Sequence, residues 1–172
     1  GIIFEYDYNS NRFIKKLDMT TANGSRPLGT FIQAPNGKLL ALTWGGGSGG
    51  TGALIEYDYN SNVYTKKIDF VQASGIRPSA NLLLASNGKY YGLAAAGGTS
   101  FRGVLFEYDY AANTYSKKID FTQATGATPY GSLVEGAGGV LYGMTNRGGN
   151  SDAGVIFSYN FTSRKKKKKI DL

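Results

Sequence analysis

The chain has 172 residues, nineteen of them lysine or arginine and twelve aspartate or glutamate, and it contains neither histidine nor cysteine. Without those two residue types it can form no disulfide, no thiolate metal site and no Ser/His/Asp or Cys/His triad. No apolar run approaches the ~20 residues of a membrane-spanning helix, so we expect neither membrane insertion nor a signal peptide within the chain.

The formal net charge of +7 is concentrated at the C-terminal end. Arg164 and the lysine run Lys165–Lys169 supply six of the nineteen basic residues, and without residues 162–172 thirteen bases remain against eleven acids. A body this close to neutral presents no broad electropositive surface to a polyanion. The sequence therefore predicts no nucleic-acid partner.

The chain is one tandem-repeat region, residues 1–172, built from a 51-residue unit without insertion or deletion. The copies cover residues 1–51, 52–102, 103–153 and, in part, 154–172. Self-similarity at a fixed period of this length is typical of repeat architectures. Because the chain starts in the middle of a repeat and without methionine, we expect it to be a piece of a longer protein.

Short apolar segments alternate with turn residues in every copy, and no segment has a helical period. In the second copy we predict strands over Ala53–Tyr59, Tyr64–Phe70, Leu82–Ala85 and Lys89–Ala94. The last two are joined by an Asn-Gly step, the strongest short hairpin signal. The predicted fold class is all-β, with tandem four-stranded antiparallel sheets and almost no helix.

The outer hairpin of the first copy is predicted to turn at Ser10 and Asn11. This pairing places Tyr8 opposite Phe13 on one face of the hairpin. On the other face it creates a cross-strand ion pair worth about 0.2–1 kcal/mol in each copy. The predicted pairs are Glu5 with Lys16, Glu56 with Lys67, and Glu107 with Lys118. The same register places Phe4 opposite Leu17.

The inner strands are apolar on both faces. In the second copy Tyr91 and Leu93 alternate with Tyr90 and Gly92. A strand that is buried on both faces lies inside a stack of sheets, and a glycine there indicates close approach of a neighbour. Four-stranded sheets stacked face to face are typical of β-propeller blades.

The repeated sequence segments resemble two known motifs. Residues 90–121 (YYGLAAAGG, TSFR, GVLFEYD, YAANT, YSKKIDF) follow the order of the kelch motif. More specifically, GATPYGSLVEGAGGVLYGMTNRGG at 126–149 and AGVIFSYN at 153–160 resemble the GloVer tandem repeat of bacterial choice-of-anchor surface proteins. This resemblance covers the whole chain and implies a secreted protein with an extracellular or cell-surface location.

Kelch order predicts blades at about residues 31–70, 82–121 and 133–172, with residues 1–19 as half of a preceding blade. Propellers close with four to eight blades, so three and a half blades predict a partial propeller or an open array. Exposed sheets at both ends favour self-association, including filaments, because a head-to-tail contact need not close.

Aromatic and cationic loop residues are the candidate binding residues. Trp44, the sole tryptophan, lies beside a glycine-rich loop and is either a packing plug or a contact surface. Arg26 and Arg77 occupy equivalent loop positions and either line one rim or are simply solvated. Tyr130 is a fourth candidate, because tyrosine on a loop can stack against a sugar.

The carboxylates recur at repeat-equivalent positions, which favours structural roles over catalysis. General acid and base roles need two carboxylates in unlike environments, whereas repeated copies give them like environments. For Asp7, Asp58 and Asp109 we expect turn stabilisation; calcium binding is the alternative, although their spacing matches no calcium loop. We therefore predict no catalytic residues, no metal and no cofactor.

The lysine run places Lys166 where other copies have an aromatic residue. An exposed edge blunted by charge is the favoured explanation, and an acidic partner surface is the alternative. The sequence as a whole predicts a non-catalytic extracellular repeat module for surface display, adhesion or self-assembly, with itself or other surface proteins as partners. A glycan-binding propeller and the propeller part of a secreted hydrolase are the alternatives.

Overall fold

The computed structural model describes all residues from 1 to 172 and is built almost wholly of β-strands. The one helical segment is a short 3₁₀ turn at Gln123–Thr125. No helix has the length and apolar character needed to cross a membrane. The prediction of an all-β fold made of antiparallel sheets is confirmed.

Sixteen strands form four separate sheets along the chain. The first sheet contains β1 (Ile2–Asp7) and β2 (Arg12–Asp18). The second contains β3 (Ser25–Pro27), β4 (Ile32–Gln33), β5 (Leu39–Gly45), β6 (Ala53–Asp58) and β7 (Val63–Asp69). The third contains β8 (Ile76–Pro78), β9 (Leu83–Leu84), β10 (Tyr90–Ala96), β11 (Val104–Asp109) and β12 (Thr114–Asp120). The fourth contains β13 (Val134–Gly136), β14 (Val140–Met144), β15 (Val155–Asn160) and β16 (Lys165–Asp171).

The second and third sheets each begin with a strand that is split into two short pieces. Both pieces pair with the same inner strand, so that β3 and β4 lie beside β5, and β8 and β9 beside β10. The sequence analysis missed β3 and β8, because three residues that include a proline carry no strand signal. Proline is tolerated there since these pieces lie at the edge of the sheet.

The Asn-Gly turns form as predicted. Between β9 and β10, Gly88 has a positive φ of 74°, and its amide donates a 2.9 Å hydrogen bond to the Ala85 carbonyl. The Ala85 amide in turn donates to the Lys89 carbonyl at 2.9 Å. This is a three-residue hairpin loop that ends in a left-handed glycine, which explains the residue type.

The turns of the outer hairpins begin earlier than the sequence predicted. In the first copy Asp7 accepts the Asn9 amide at 2.9 Å, and Asn11 takes a left-handed φ of 53°. The turn therefore contains Tyr8 and the three residues after it, and Phe13 lies opposite Tyr6 instead of Tyr8. The predicted register is wrong because the aspartate fixes a four-residue turn rather than a two-residue one.

A β-bulge shifts the register of the same hairpin a second time, between Ile3 and Phe4. Phe4 lies opposite Lys15, not opposite Leu17 as predicted. The bulge recurs at the equivalent point of the other three outer hairpins. An extra residue on one strand leaves no trace in the alternation of apolar residues, so the sequence could not reveal it.

Apolar layers between successive sheets form the core. The layer between the second and third sheets contains nine buried residues: Ala34, Leu40, Leu42, Leu54, Phe70, Leu82, Tyr90, Phe106 and Tyr108. The layer between the third and fourth contains ten: Ala85, Tyr91, Leu93, Leu105, Ile119, Phe121, Leu133, Leu141, Phe157 and Tyr159. As predicted, β5 and β10 are buried on both faces. The sheets do not close into a ring.

In the third and fourth sheets a glycine lies opposite an aromatic residue of the neighbouring strand. A Cβ built on Gly143 would lie 2.6 Å from Cζ of Phe157, and one on Gly92 would come even closer to Phe106. In the second sheet the equivalent pair is Ala41 with the smaller Ile55. The backbone therefore approaches the ring of its own sheet as closely as the side-chain pair allows.

We expect Gly92→Ala to lower the free energy of unfolding by about 1–3 kcal/mol, because the added methyl overlaps the buried ring of Phe106. The double variant Gly92→Ala/Phe106→Ile reproduces the Ala41–Ile55 pair of the second sheet and should recover part of that loss. Urea denaturation of the wild-type protein and the two variants measures both effects. Equal stability of Gly92→Ala and wild type would contradict the close packing.

Candidate functional site

Three of the predicted binding residues lie together at one edge of the second and third sheets. Cζ of Arg26, on β3, is 5.5 Å from the centre of the Trp44 ring, and Cζ of Arg77, on β8, is 5.0 Å from it. Both distances fall within the range of cation–π attraction. Trp44, near the end of β5, therefore contacts two guanidinium groups, one from each sheet.

Neither guanidinium has an acidic partner. No carboxylate lies within 4 Å of Arg26 or Arg77, and neither side chain donates a hydrogen bond to the protein, whereas Arg147 pairs with Asp152. Both arginine side chains are exposed. Each guanidinium thus retains its set of five N–H donors for water or a ligand.

A cavity of about 370 Å³ adjoins Arg26. Its walls are Thr21, Ala22, Ser25 and the glycine-rich loop that follows β5. A Cβ on Gly46 would lie 2.6 Å from the Ser25 nitrogen and the Thr21 oxygen, so glycine is required where the loop passes those atoms. The glycines therefore shape this cavity, as loop residues; no phosphate-binding helix follows them.

Tyr130 lies apart from this cluster. It is 53% exposed and lines a separate cavity of about 290 Å³ at the fourth sheet, together with Met144, Asn146 and Leu172. The structure therefore brings together Arg26, Trp44 and Arg77 and leaves Tyr130 at another place.

Two of the three predicted ion pairs are present. Lys16 Nζ lies 3.2 Å from Glu5, and Lys118 Nζ lies 3.0 Å from Glu107. They form although Glu5 stands opposite Ile14 in the ladder, because the lysine side chain is long enough to reach across the bulge.

The prediction of an ion pair between Glu56 and Lys67 is wrong. Glu56 is buried beneath the third sheet and accepts a 2.6 Å hydrogen bond from the Tyr110 hydroxyl, with Lys38 at 4.0 Å. Lys67 instead lies 5.7 Å from the Tyr110 ring centre. In the next layer the residue equivalent to Tyr110 is Phe161, which has no hydroxyl.

The aspartates of the outer hairpins stabilise turns, as expected. Asp58 accepts the amide of Asn60 at 3.0 Å and lies 3.4 Å from Lys38, and Asp109 accepts the Ala112 amide at 3.3 Å. The Asn60 hydrogen bond is the main cause that lowers the pKa of Asp58, which keeps this carboxylate ionised. These contacts give the repeated aspartates a structural role in the turns.

A second set of aspartates was not singled out from the sequence. Asp69 lies 2.7 Å from Lys66 and accepts hydrogen bonds from the Ser48 amide at 2.8 Å and the Ser48 hydroxyl at 2.7 Å. It thereby ties the glycine-rich loop to the outer strand. Asp120 makes the equivalent contacts with Lys117 and Thr99. The Lys-Lys-x-Asp phrase repeated in each copy was the available signal.

The lysine run divides into two sets. Lys165, Lys167 and Lys169 line one cavity of about 340 Å³ with Tyr142 and Ser158 on the outer face of the fourth sheet. Ser158 stands where earlier copies have Glu56 and Glu107. This face, the lysine face, therefore carries three cations and lacks the acid that balances them elsewhere.

Lys166 points the other way, toward the third sheet. Its Nζ lies 4.5 Å from the Phe121 ring centre and donates a 2.7 Å hydrogen bond to Thr125 Oγ1. For this residue the hypothesis of an exposed charged edge is wrong, because its stem replaces the aromatic ring of Tyr115 in the layer. Burial lowers the pKa of Lys166 to about 8.

Both ends of the stack expose apolar side chains. On the first sheet Phe4 is 56% and Tyr6 54% exposed, while the equivalent Phe106 and Tyr108 are fully buried. On the fourth sheet Met144 is 55% exposed, while the equivalent Leu93 is fully buried. We call these the upstream face (Phe4, Tyr6, Phe13) and the downstream face (Tyr142, Met144, Ile170).

The sequence model of the Gloeobacter/Verrucomicrobia repeat matches residues 1–170. The chain belongs to this repeat family. The GloVer resemblance is thereby confirmed. No curated protein matches the chain.

Solved structures similar to the chain share its fold. The extracellular domain of a protein described as a one component system, BT4673 from B. thetaiotaomicron, is 13% identical with a TM-score of 0.65, over 99% of this chain and 20% of that one. TolB from Acinetobacter baumannii is 14% identical with a TM-score of 0.57, over 96% and 36%. A protein described as a gluconolactonase is 13% identical with a TM-score of 0.59, over 94% and 53%.

The chain spans between a fifth and about half the length of these structures. At such low identity the likeness concerns the fold alone. It agrees with the propeller-like arrangement of stacked four-stranded sheets in an open array.

We expect the stability of the protein to rise with pH above about 8. The pKa of Lys166 is about 8 in the folded chain and about 10.4 when unfolded. Between these values the unfolded state binds more protons, so the free energy of unfolding increases with pH. Tyrosines with raised pKa values lower stability only above about pH 10, outside this window. Urea denaturation at pH 7 and pH 9.5 should show a gain of up to about 1 kcal/mol, because solvent screening of this partly exposed amine reduces the full linkage effect.

Lys166→Tyr, which restores the residue of the earlier copies, should abolish that gain and stabilise the protein at pH 7. The matched control is Lys167→Thr, which also restores the residue of an earlier copy but changes an exposed side chain, so the pH dependence should persist. A pH dependence that survives in Lys166→Tyr would contradict the assignment.

Proposed function

We propose that the chain is a non-catalytic repeat module that associates head to tail through its terminal sheets and serves in display, adhesion or assembly at the cell surface. The observation that carries this proposal is the equivalence between exposed end residues and buried interior residues. The side chains of the upstream and downstream faces occupy the repeat positions that fill the apolar layers between sheets.

We propose that each end face is covered by a sheet of the same repeat, and a second copy of the chain can supply that sheet. The upstream face matches the side of the third sheet that packs on the second, and the downstream face matches the side of the second that receives it. A head-to-tail contact thus repeats an interface that the chain already uses internally. Because the two faces differ, the contact is heterologous and can continue into an open array.

Burial of about six large apolar side chains at such a contact would contribute on the order of 10 kcal/mol. Loss of translational and rotational freedom on association opposes this by about 4–15 kcal/mol. At the low end of that cost the net is about −6 kcal/mol, a dissociation constant on the order of 10–100 µM, so the contact is weak and reversible rather than permanent. The lysine face adjoins Tyr142 of the downstream face, so repulsion among its three cations weakens this contact.

The repeat-equivalent carboxylates support a structural role. Glu107 and Asp120 are held by lysines at 3.0 Å and 2.8 Å, and Asp109 binds its turn and Lys89. A cell-surface setting is supported by the resemblance to surface-protein repeats. These observations favour assembly over hydrolysis as the function of this region.

The test is sedimentation velocity of the 172-residue chain at about 1–100 µM, where we expect concentration-dependent oligomers. Phe4→Lys removes the upstream face and Met144→Lys the downstream face, so each variant alone should remain monomeric. A mixture of the two keeps one intact face of each kind and should form a 1:1 dimer and nothing larger. Val71→Lys is the control, because Val71 is 51% exposed on a connecting segment outside both faces.

Thermal unfolding of each variant should match wild type, since the changed side chains are exposed. A monomeric wild-type chain across the concentration range, or a mixture that stays monomeric, would contradict head-to-tail association. Oligomers that persist in both single variants would place the contact elsewhere.

A further inference from the structure

We propose that Arg26, Trp44 and Arg77 form a binding site for an oxyanion group, such as the carboxylate of an acidic sugar or a phosphate. This site is independent of the terminal sheets, since it lies on the edge strands β3 and β8 and on the end of β5. It is a ligand site rather than a contact between copies.

The tryptophan ring orients the two cations. Cation–π contact holds each guanidinium against one ring, at 5.5 Å for Arg26 and 5.0 Å for Arg77. Long arginine side chains are otherwise mobile, and the restraint lowers the entropy lost when a ligand binds. Guanidinium groups match oxyanions in geometry, because their planar N–H donors form two parallel hydrogen bonds to two oxygens.

The charges at this site are unbalanced in the free protein. Ten ion pairs neutralise other charged side chains of the chain, but none includes Arg26 or Arg77. Two like charges near one ring repel each other, and a bound anion offsets that repulsion. The charge at this site therefore favours an anionic ligand.

The repeat fold does not require these side chains. The residue equivalent to Trp44 is Ala95 in the next copy and Asn146 after that, and Thr128 follows Arg26 and Arg77 at their position. Arg26, Arg77 and Thr128 all have a left-handed backbone, with φ of 56°, 57° and 53°. The backbone shape thus belongs to the architecture, whereas the charges and the indole occur only at the second and third sheets.

The adjoining cavity has room for the part of the ligand that carries the anionic group. Its volume of about 370 Å³ is within the range of small-molecule sites, and Arg26 forms part of its wall together with Ser25 and Thr21. A monosaccharide whose carboxylate binds Arg26 fits a cavity of this volume. Since guanidinium groups lie over the indole, recognition by charge is favoured over the stacking of a neutral sugar on Trp44.

Trp44 is the only tryptophan, so its fluorescence reports on this site alone. The experiment titrates the Phe4→Lys chain, which removes the association contact, with sodium phosphate and with galacturonate at constant ionic strength. We expect a saturable fluorescence change with a dissociation constant on the order of 0.1–1 mM. Sodium chloride and glucose should give none. Isothermal titration calorimetry of the same samples provides a readout that is independent of the indole.

Arg26→Asn and Arg77→Asn should each weaken binding at least about tenfold, because each removes a charge-assisted pair of hydrogen bonds. Asparagine tolerates the left-handed backbone and keeps the fold. Arg12→Asn, an exposed arginine on the first sheet, is the matched control and should bind as before. If galacturonate binds at least about tenfold more tightly than phosphate, the sugar ring contributes to binding by occupying the cavity. If the two affinities are equal, the site recognises the anionic group alone.

The proposal is overturned if sodium chloride produces the same response, if binding persists in the Arg26→Asn/Arg77→Asn double variant, or if calorimetry and fluorescence both detect no saturable binding. None of these outcomes bears on head-to-tail association, which is measured without ligand. Failure of the association experiments likewise leaves the anion titration unaffected.

Discussion

Apolar packing between successive sheets is the interaction on which the structure depends. No single sheet of this size has a core of its own, because its strands are short and carry apolar residues on both faces. Phe106 illustrates the arrangement: its ring lies over Gly92 of its own sheet and 5.1 Å from Phe70 of the preceding one. Each sheet is therefore stabilised by packing against an adjacent sheet, as in repeat proteins whose units cannot fold alone.

This dependence explains why the charged residues differ between layers. Glu56 is covered by the third sheet and is satisfied by Tyr110, a residue 54 positions away, so its partner could not be read from its own hairpin. Glu107 is covered by a sheet with Phe161 at that place and retains Lys118. Glu107 also accepts a 2.5 Å hydrogen bond from Tyr91 of its own sheet, whereas Glu56 lies opposite Leu40, so both the following sheet and the adjacent strand decide which partner a repeated carboxylate takes.

The periodic pattern predicted the strands, the Asn-Gly turns and the stacking, because these follow from local alternation and turn chemistry. It failed at the register of the outer hairpin, where Asp7 fixes a longer turn and a bulge after Ile3 adds a residue without altering the alternation. At the candidate site, the sequence places Arg26 and Arg77 one repeat apart and leaves open whether they line one rim or are simply solvated. Their convergence on Trp44 depends on how adjacent sheets approach, which no local pattern encodes.

Departures from the repeat separate residues that serve the fold from residues that do something more. Lys166 departs from an aromatic position, yet it packs on Phe121 and binds Thr125, so the fold absorbs the change. Trp44 departs as well, and only two copies share the arginine of Arg26 and Arg77, but these side chains satisfy no buried group and form no ion pair. Two cations that contact one indole ring and have no structural partner can bind an anion through their N–H donors. For this reason we assign them to a ligand.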